Sequence, residues 1–295
     1  MLDENKLLQS LEGVSDTECN RFKAFLESHT LKVLPHSRGS IPYYLCGQGP
    51  RTIMTFAGGW GGPQLIYDTI LGFEGKNRMI VIDISPFDDP DAMSDGVNQV
   101  LDNEEIGNVV LIGQSASGIT AQSYFKRNTE RVDGLVLTNT LAPRIERCKK
   151  WALWLLQVFP ISIMKSLARK KLMKLGEFEK EIPPGIQERR RFASSLFGAM
   201  MDQYFTRQNI TNILKLAYAF NEKDGYRPGE FKDWQGKILL ITSEDDPYFP
   251  DVALLEAGLP NTEVFKFPTG FKHVAPQINR DEFHARIQEF VDGLI

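Results

Sequence analysis

Cysteine is scarce in this sequence: Cys19, Cys46 and Cys148 are the only three in 295 residues, and they are widely spaced. An odd, scattered set forms neither a disulfide framework nor a C-x-x-C pair, which suits a reducing compartment. Each thiol is read as inert rather than catalytic. Long apolar runs are also missing. The most apolar stretch, 151–164, is interrupted by Pro160 and falls short of the roughly 20 residues a membrane-spanning helix needs. The opening MLDENKLLQSLEG is acidic and amphipathic, with no basic region leading into an apolar core. It does not read as a signal peptide, and the cytoplasm is the expected location.

The charges do not cluster by sign. A net charge of −4 with interspersed signs leaves no basic footprint for a nucleic-acid backbone. The one basic run, Arg169-Lys170-Lys171 with Lys165 and Lys174, reads as the solvated face of a helix. No G-x-G-x-x-G, G-x-x-x-x-G-K-[ST] or H-E-x-x-H spacing occurs, so no nucleotide, metal or other cofactor is expected. There is no internal repeat.

What remains is an ordinary globular composition, 42% hydrophobic and 24% charged. Helical periodicity covers residues 3–11 and 16–28, the second carrying Phe22, Phe25 and Leu26 on one face. The period then changes. TLKVLPH and IPYYLC read as strands, followed by the apolar runs RTIMTFA, NRMIVIDI, NVVLIG, VDGLVLTN and KILLIT and the more amphipathic TEVFKF. Such short continuous runs predict a largely parallel sheet covered on both faces. Helical patterns at 63–73, 91–103, 116–127, 250–257 and 280–293 alternate with them, as in a doubly wound α/β sheet. The alternation breaks once, between 143 and 235. The expected organisation is an N-terminal helical extension (1–29), an α/β core (30–142 and 236–295) and a helical cap (143–235) inserted after the sixth strand.

The segment NVVLIGQSASGITAQSYF runs from buried strand through a sharp turn into an amphipathic helix. A serine at such a corner is lifted above the sheet, and the residues two before and two after it must be small. Gly113 and Ser117 hold those positions around Ser115. Ser117 as nucleophile fails the same test, because Ile119 follows it by two. Ser115 is therefore the expected nucleophile, and the N–H of Ala116 at the helix start an expected oxyanion donor. A second donor is expected from TFAGGWGGP: Gly59 is preferred, with Trp60 as the alternative. Trp60 either walls the pocket or packs locally, and Gln114 is expected to contact substrate.

KILLITSEDDPYFP places acids just past a strand end, on the edge where open α/β sheets put their sites. Asp245 and Asp246 compete for the catalytic acid, with Glu244 third. Asp246 fits better because Pro247 follows it and Tyr248-Phe249-Pro250 lead into the next helix. Of four histidines, His29 and His36 precede the nucleophile turn and His284 lies inside the last helix. His273, in the loop PTGFKHVAPQ, is the expected base and completes the chain order Ser, Asp, His.

Together these segments resemble the α/β-hydrolase superfamily from about residue 30 to the end. AGG matches its oxyanion loop, GQSASG its nucleophile elbow, SEDDPYFP its acid segment and GFKHVAP its histidine loop. Ala57 stands where the oxyanion loop usually has His, Ser117 where the elbow has Gly, and Ser243 where Gly commonly precedes the acid. The resemblance implies a serine hydrolase acting on a small to medium, largely apolar carboxylic ester. Acyl transfer, or thioester, amide or C–C cleavage, is the alternative on the same residues. KSLARKKLMKLGEF and MDQYFTRQNITNILKLAY are similar to the maspardin-like branch, whose members can lack the catalytic His and act as binding proteins; here His273 is kept. Trp151, Trp154, Leu155, Phe159, Met164, Phe192, Phe197, Met200 and Met201 are expected mainly to pack the cap onto the sheet, a minority lining the pocket.

Overall fold

The structure is a computed structural model that describes residues 2–58, 60–147, 150–178, 180–227 and 229–294. Two helices come first, α1 (Glu4–Leu11) and α2 (Asp16–Ser28). Asp3 caps α1 by accepting from the N–H of Lys6, and Ser15 caps α2 by accepting from that of Glu18. The strands follow: β1 (Lys32–Leu34), β2 (Ile41–Cys46), β3 (Thr52–Ala57), β4 (Arg78–Asp83), β5 (Val109–Gln114), β6 (Val132–Thr138), β7 (Lys237–Ser243) and β8 (Thr262–Phe267). They form one eight-stranded sheet in the order β1-β2-β4-β3-β5-β6-β7-β8. β2 runs antiparallel to β1 and β4; the pairings among β3 to β8 are parallel.

Parallel strands need covered crossovers, and helices supply them. α3 (Tyr67–Phe73), preceded by a 3₁₀ turn over Pro63–Ile66, joins β3 to β4. α4 (Pro90–Asn103), capped by Asp89, joins β4 to β5, and α5 (Ala116–Arg127) joins β5 to β6. Strand alternation divides the sheet's side chains between two cores. Leu111, with Met54, Phe56, Ile80 and Leu135, packs on Val97, Tyr124 and Phe125 of α4 and α5. Val110 and Ile112, with Ile53, Met79 and Val136, face the opposite layer. Each such side chain contributes about 1.5–3 kcal/mol on full burial. The edge strands are less buried than the central ones, β1 largely exposed and β8 mostly half-buried with Glu263 and Lys266 exposed, which limits edge-to-edge association.

Between β6 and β7 lie α6 (Lys150–Val158), α7 (Ile161–Leu175), α8 (Pro184–Tyr204) and α9 (Arg207–Lys223). α8 is the longest, and its Phe192, Leu196 and Met200 pack with Leu7, Leu11, Phe22 and Phe25 of the N-terminal helices and with Tyr67. Trp151, Trp154 and Phe159 depart from the packing expected of them: they are exposed, the two tryptophans at 59% each. α6 buries the opposite side of its turn, through Leu156. Arg169, Lys170, Lys171 and Lys174 are exposed on α7, with Lys165 and Arg169 pairing to Asp202. After β7 come α10 (Val252–Gly258), the one-turn α11 (Ala275–Ile278) and α12 (Arg280–Asp292), whose Phe283, Ile287 and Val291 cover the second face of the sheet. Among the described residues, no helix is long and apolar enough to cross a membrane.

Candidate active site

The carboxyl ends of the parallel strands share one edge, where open α/β sheets present their loops. Ser115 sits there between β5 and α5 with φ 52° and ψ −117°. This is left-handed backbone that costs a non-glycine residue on the order of 1–3 kcal/mol and persists only where the surroundings enforce it. The Ser115 N–H donates to Thr138 O at 2.9 Å, and its carbonyl accepts from the Thr140 hydroxyl at 2.7 Å and from the Gly118 N–H at 3.2 Å.

Crowding at this corner explains its small residues. A Cβ at Gly113 would stand 2.6 Å from Gly118 Cα and from Ala121 Cβ, and one at Gly118 would stand 2.3 Å from Thr140 Oγ1. Ser117, in place of the usual glycine, turns its hydroxyl back on Gln114, donating to the carbonyl and accepting from the N–H, both at 2.9 Å. That hydroxyl is fully engaged away from the imidazole.

His273 is brought to Ser115 from 158 positions away: Nε2 lies 2.9 Å from Ser115 Oγ. Its Nδ1 lies 2.7 Å from Oδ2 of Asp246, which is 3% exposed. The carboxylate fixes the tautomer, with the proton on Nδ1 and the Nε2 lone pair toward the serine. The other Asp246 oxygen accepts from the N–H of Tyr248 at 2.6 Å. The three neighbouring acids separate cleanly. Asp245 turns away, accepting from the Ser243 hydroxyl and from the Gly270 N–H at 2.5 Å. Burial raises its pKa, but these hydrogen bonds outweigh it and hold the carboxyl below its ordinary range. Glu244 is exposed and paired with Lys266.

Several positioning residues carried no motif. Asn139, at the end of β6, donates from Nδ2 to the carbonyl of His273 at 2.9 Å. The ring of Tyr248 stands edge-on to the imidazole, 5.2 Å between centroids. Asp83 closes β4 next to Gly58, whose φ of 138° strains any other residue and where an added Cβ would stand 3.1 Å from Asp83 Oδ1. Burial raises the Asp83 pKa to about 6, against the lowering effect of the hydrogen bond from the Ser85 N–H. The only advance signals were TNT after one apolar run and an acid ending another.

Gly59, the preferred oxyanion donor, lies outside the described residues, as does Cys148. Trp60 donates its N–H to Gly58 O at 2.8 Å; its ring both lines the cavity and packs on Phe205, 5.7 Å away. Ala116 opens α5, where first-turn N–H groups lack intrahelical partners. The remaining histidines stand elsewhere: His29 against Glu74 and Phe25, His36 against Phe87, and His284 against Phe73. Burial lowers the pKa of His284 and raises the Cys46 thiol to about 12. His29, Cys46 and Glu74 cluster with ligand atoms within 4.8 Å of one another, but both imidazole nitrogens are engaged, by Phe25 O and by Glu74.

A cavity of about 400 Å³ opens over the serine, lined by Ser115, Ala116, Gln114, His273, Gly58 and Trp60 together with apolar side chains. Of the nine apolar cap residues named from sequence, Phe197 lines it, joined by Leu172, Met173 and Leu175 of α7.

No family model matches the sequence, and no curated protein does. Solved structures do. Naproxen esterase from Bacillus subtilis is 16% identical at a TM-score of 0.63, covering 94% of this chain and 99% of its own. The enol-lactonase from Burkholderia xenovorans LB400 is 14% identical at 0.67, covering 88% and 100%. A thermophilic esterase from Thermogutta terrifontis is 14% identical at 0.65, covering 90% and 99%. Strand order, the insertion after β6 and these superpositions agree. The chain has the α/β-hydrolase fold. At such identities the likeness extends to the fold alone. Within this α/β-hydrolase fold, Ala57, in place of the oxyanion-loop histidine, is buried at the end of β3 and lines the cavity.

Proposed function

We propose that the protein is a serine hydrolase of carboxylic esters. The observation that carries the reading is the hydrogen-bonded chain Ser115–His273–Asp246, 2.9 and 2.7 Å long, at the floor of a mostly apolar cavity. His273 takes the Ser115 proton as Oγ attacks the ester carbonyl. The negative charge then on the carbonyl oxygen is met by the N–H groups of Ala116 and Gly59, each worth roughly 10²–10³ in rate. Asp246 holds the imidazole tautomer and stabilises its cationic form. His273 next passes that proton to the departing alkoxide, leaving an acyl-Ser115. Water, deprotonated by His273, attacks the acyl carbon; the C–O bond to Ser115 breaks, releasing the acid and restoring the serine.

In this reading residues 143–235 act as the cap, α7 and α8 shaping the acyl site with Leu172, Leu175 and Phe197, and Trp60 and Gln114 flanking the reacting ester. A purely binding role, as in the maspardin-like branch, has no observation in its favour: a bystander histidine has no need of a buried carboxylate behind it and a serine in front. The test is a panel of activated esters of graded acyl length beside the matching thioesters. The expected result is turnover of esters of short to medium chain at higher kcat/KM than the thioesters. Faster thioester turnover would move the reading to the other chemistry.

A further inference from the structure

The cavity over Ser115 holds one residue that an apolar ester does not explain. Among the described lining residues, Arg190 of α8 is the only one besides His273 with a side chain that can carry positive charge, and none is acidic. Several other partly buried arginines have carboxylates: Arg21 has Asp68, Arg127 has Asp91 and Asp224, and Arg147 has Asp251. Arg190 has no ion pair or hydrogen bond among the described residues. Its guanidinium stacks on the Phe178 ring at 4.1 Å, and Phe178 packs against Phe271, two residues before His273. Stacking uses the π face and leaves the N–H donors in the guanidinium plane unspent. One terminal nitrogen of Arg190 lies beside Gly176, also a lining residue: a Cβ there would stand 3.4 Å from it. Burial disfavours the charged form, and no neighbouring carboxylate offsets it.

A partly buried cation without a partner carries some desolvation cost, and a bound anion offsets it. A single guanidinium balances a single negative charge, and its planar fork matches a carboxylate in bidentate geometry. The same cavity that holds the serine and Arg190 is lined by apolar side chains, including Leu172, Leu175 and Phe197. We propose that Arg190 recognises a free carboxylate on the substrate. The preferred substrates are then monoesters of dicarboxylic acids, with the ester at Ser115, the carboxylate at Arg190 and a methylene chain between. This rests on the hydrolase reading above, and the experiment separates the two.

Monomethyl esters of dicarboxylic acids of graded length are compared with methyl esters of monocarboxylic acids of the same length. In wild type the kcat/KM ratio of hemiester to neutral ester exceeds ten at the best length, mainly through KM. Arg190→Met lowers that ratio about tenfold or more, the range of a lost charge-assisted hydrogen bond, and Arg190→Lys restores part of it. Calorimetric binding of the hemiester to Ser115→Ala, with and without Arg190→Met, reads recognition without turnover. Binding that depends on Arg190 with no wild-type hydrolysis upholds the recognition and sinks the hydrolase reading. Hydrolysis of both ester classes at equal kcat/KM in wild type, or a ratio unmoved by Arg190→Met, overturns the role given to Arg190.

Discussion

The hydroxyl of Thr140 donates to the carbonyl of Ser115 at 2.7 Å, while the same side chain fills the space beside Gly118. This one residue, two past the end of β6, thus fixes both the carbonyl of Ser115 and the first turn of the helix behind it. Gly118→Ala puts a methyl 2.3 Å from Thr140 Oγ1, and overpacking of this kind costs about 1–3 kcal/mol. The expected result in urea unfolding is a lower midpoint at unchanged slope, with kcat falling because Thr140 is displaced. Thr140→Val keeps the volume and loses the hydrogen bond, for about 1 kcal/mol. Equal midpoints for Gly118→Ala and wild type would contradict the packing described.

The two adjacent aspartates predict two different phenotypes. Asp246→Asn removes the charge behind His273 and presents the wrong group to Nδ1, so kcat is expected to fall by roughly 10⁴ with little change in stability. Asp245→Asn weakens the acceptor that joins Ser243 to Gly270, so stability is expected to fall by about 1–2 kcal/mol with kcat within roughly tenfold of wild type. Thermal melts and steady-state kinetics on both variants check this, and exchanged phenotypes would reassign the acid.

Asp83 gives stability a pH signature. Its carboxyl titrates near 6 in the folded protein against an ordinary 3.8. Below the ordinary value both states are protonated and nothing is lost. As pH rises between the two values, the unfolded chain has lost a proton that the folded state still holds, and stability declines until pH passes the folded value. The loss is complete above about pH 7 and on the order of 3 kcal/mol. Asp83→Asn keeps the acceptor for the Ser85 N–H and removes the charge. It is expected to gain stability over wild type between pH 4 and 7, measured as the difference of two unfolding free energies. A constant difference across that range would mean that Asp83 does not titrate there.

The strands, their succession and the insertion after β6 were legible because buried parallel strands are short unbroken apolar runs, and here they alternate with helical patterns. The sharp strand-to-helix corner at Ser115 was legible through Gly113 and Ser115, since the corner tolerates little else. Choosing between Asp245 and Asp246 needed coordinates: the two are one residue apart, and only the path of the chain decides which faces the imidazole. Asn139 and Thr140 showed only as polar residues after an apolar run, and Tyr248 only as part of the lead into the next helix, because each acts through a partner far away in sequence. The exposure of Trp151 and Trp154 went against hydrophobic patterning, which ranks residues by type and says nothing of which side of α6 has a neighbour. Arg190 was invisible as a site residue in the run Arg189-Arg190-Arg191, where only the fold separates a cavity wall from solvent.

The central claim is that His273, backed by Asp246, makes Ser115 a nucleophile. The most direct measurement is covalent labelling by a fluorophosphonate probe, followed by intact mass and peptide mapping. Wild type is expected to gain one adduct, mapped to Ser115, with labelling slowed by at least roughly 10³-fold in His273→Ala and abolished in Ser115→Ala. A wild-type protein that takes no label, or a Ser115→Ala variant that labels as fast as wild type, would contradict it.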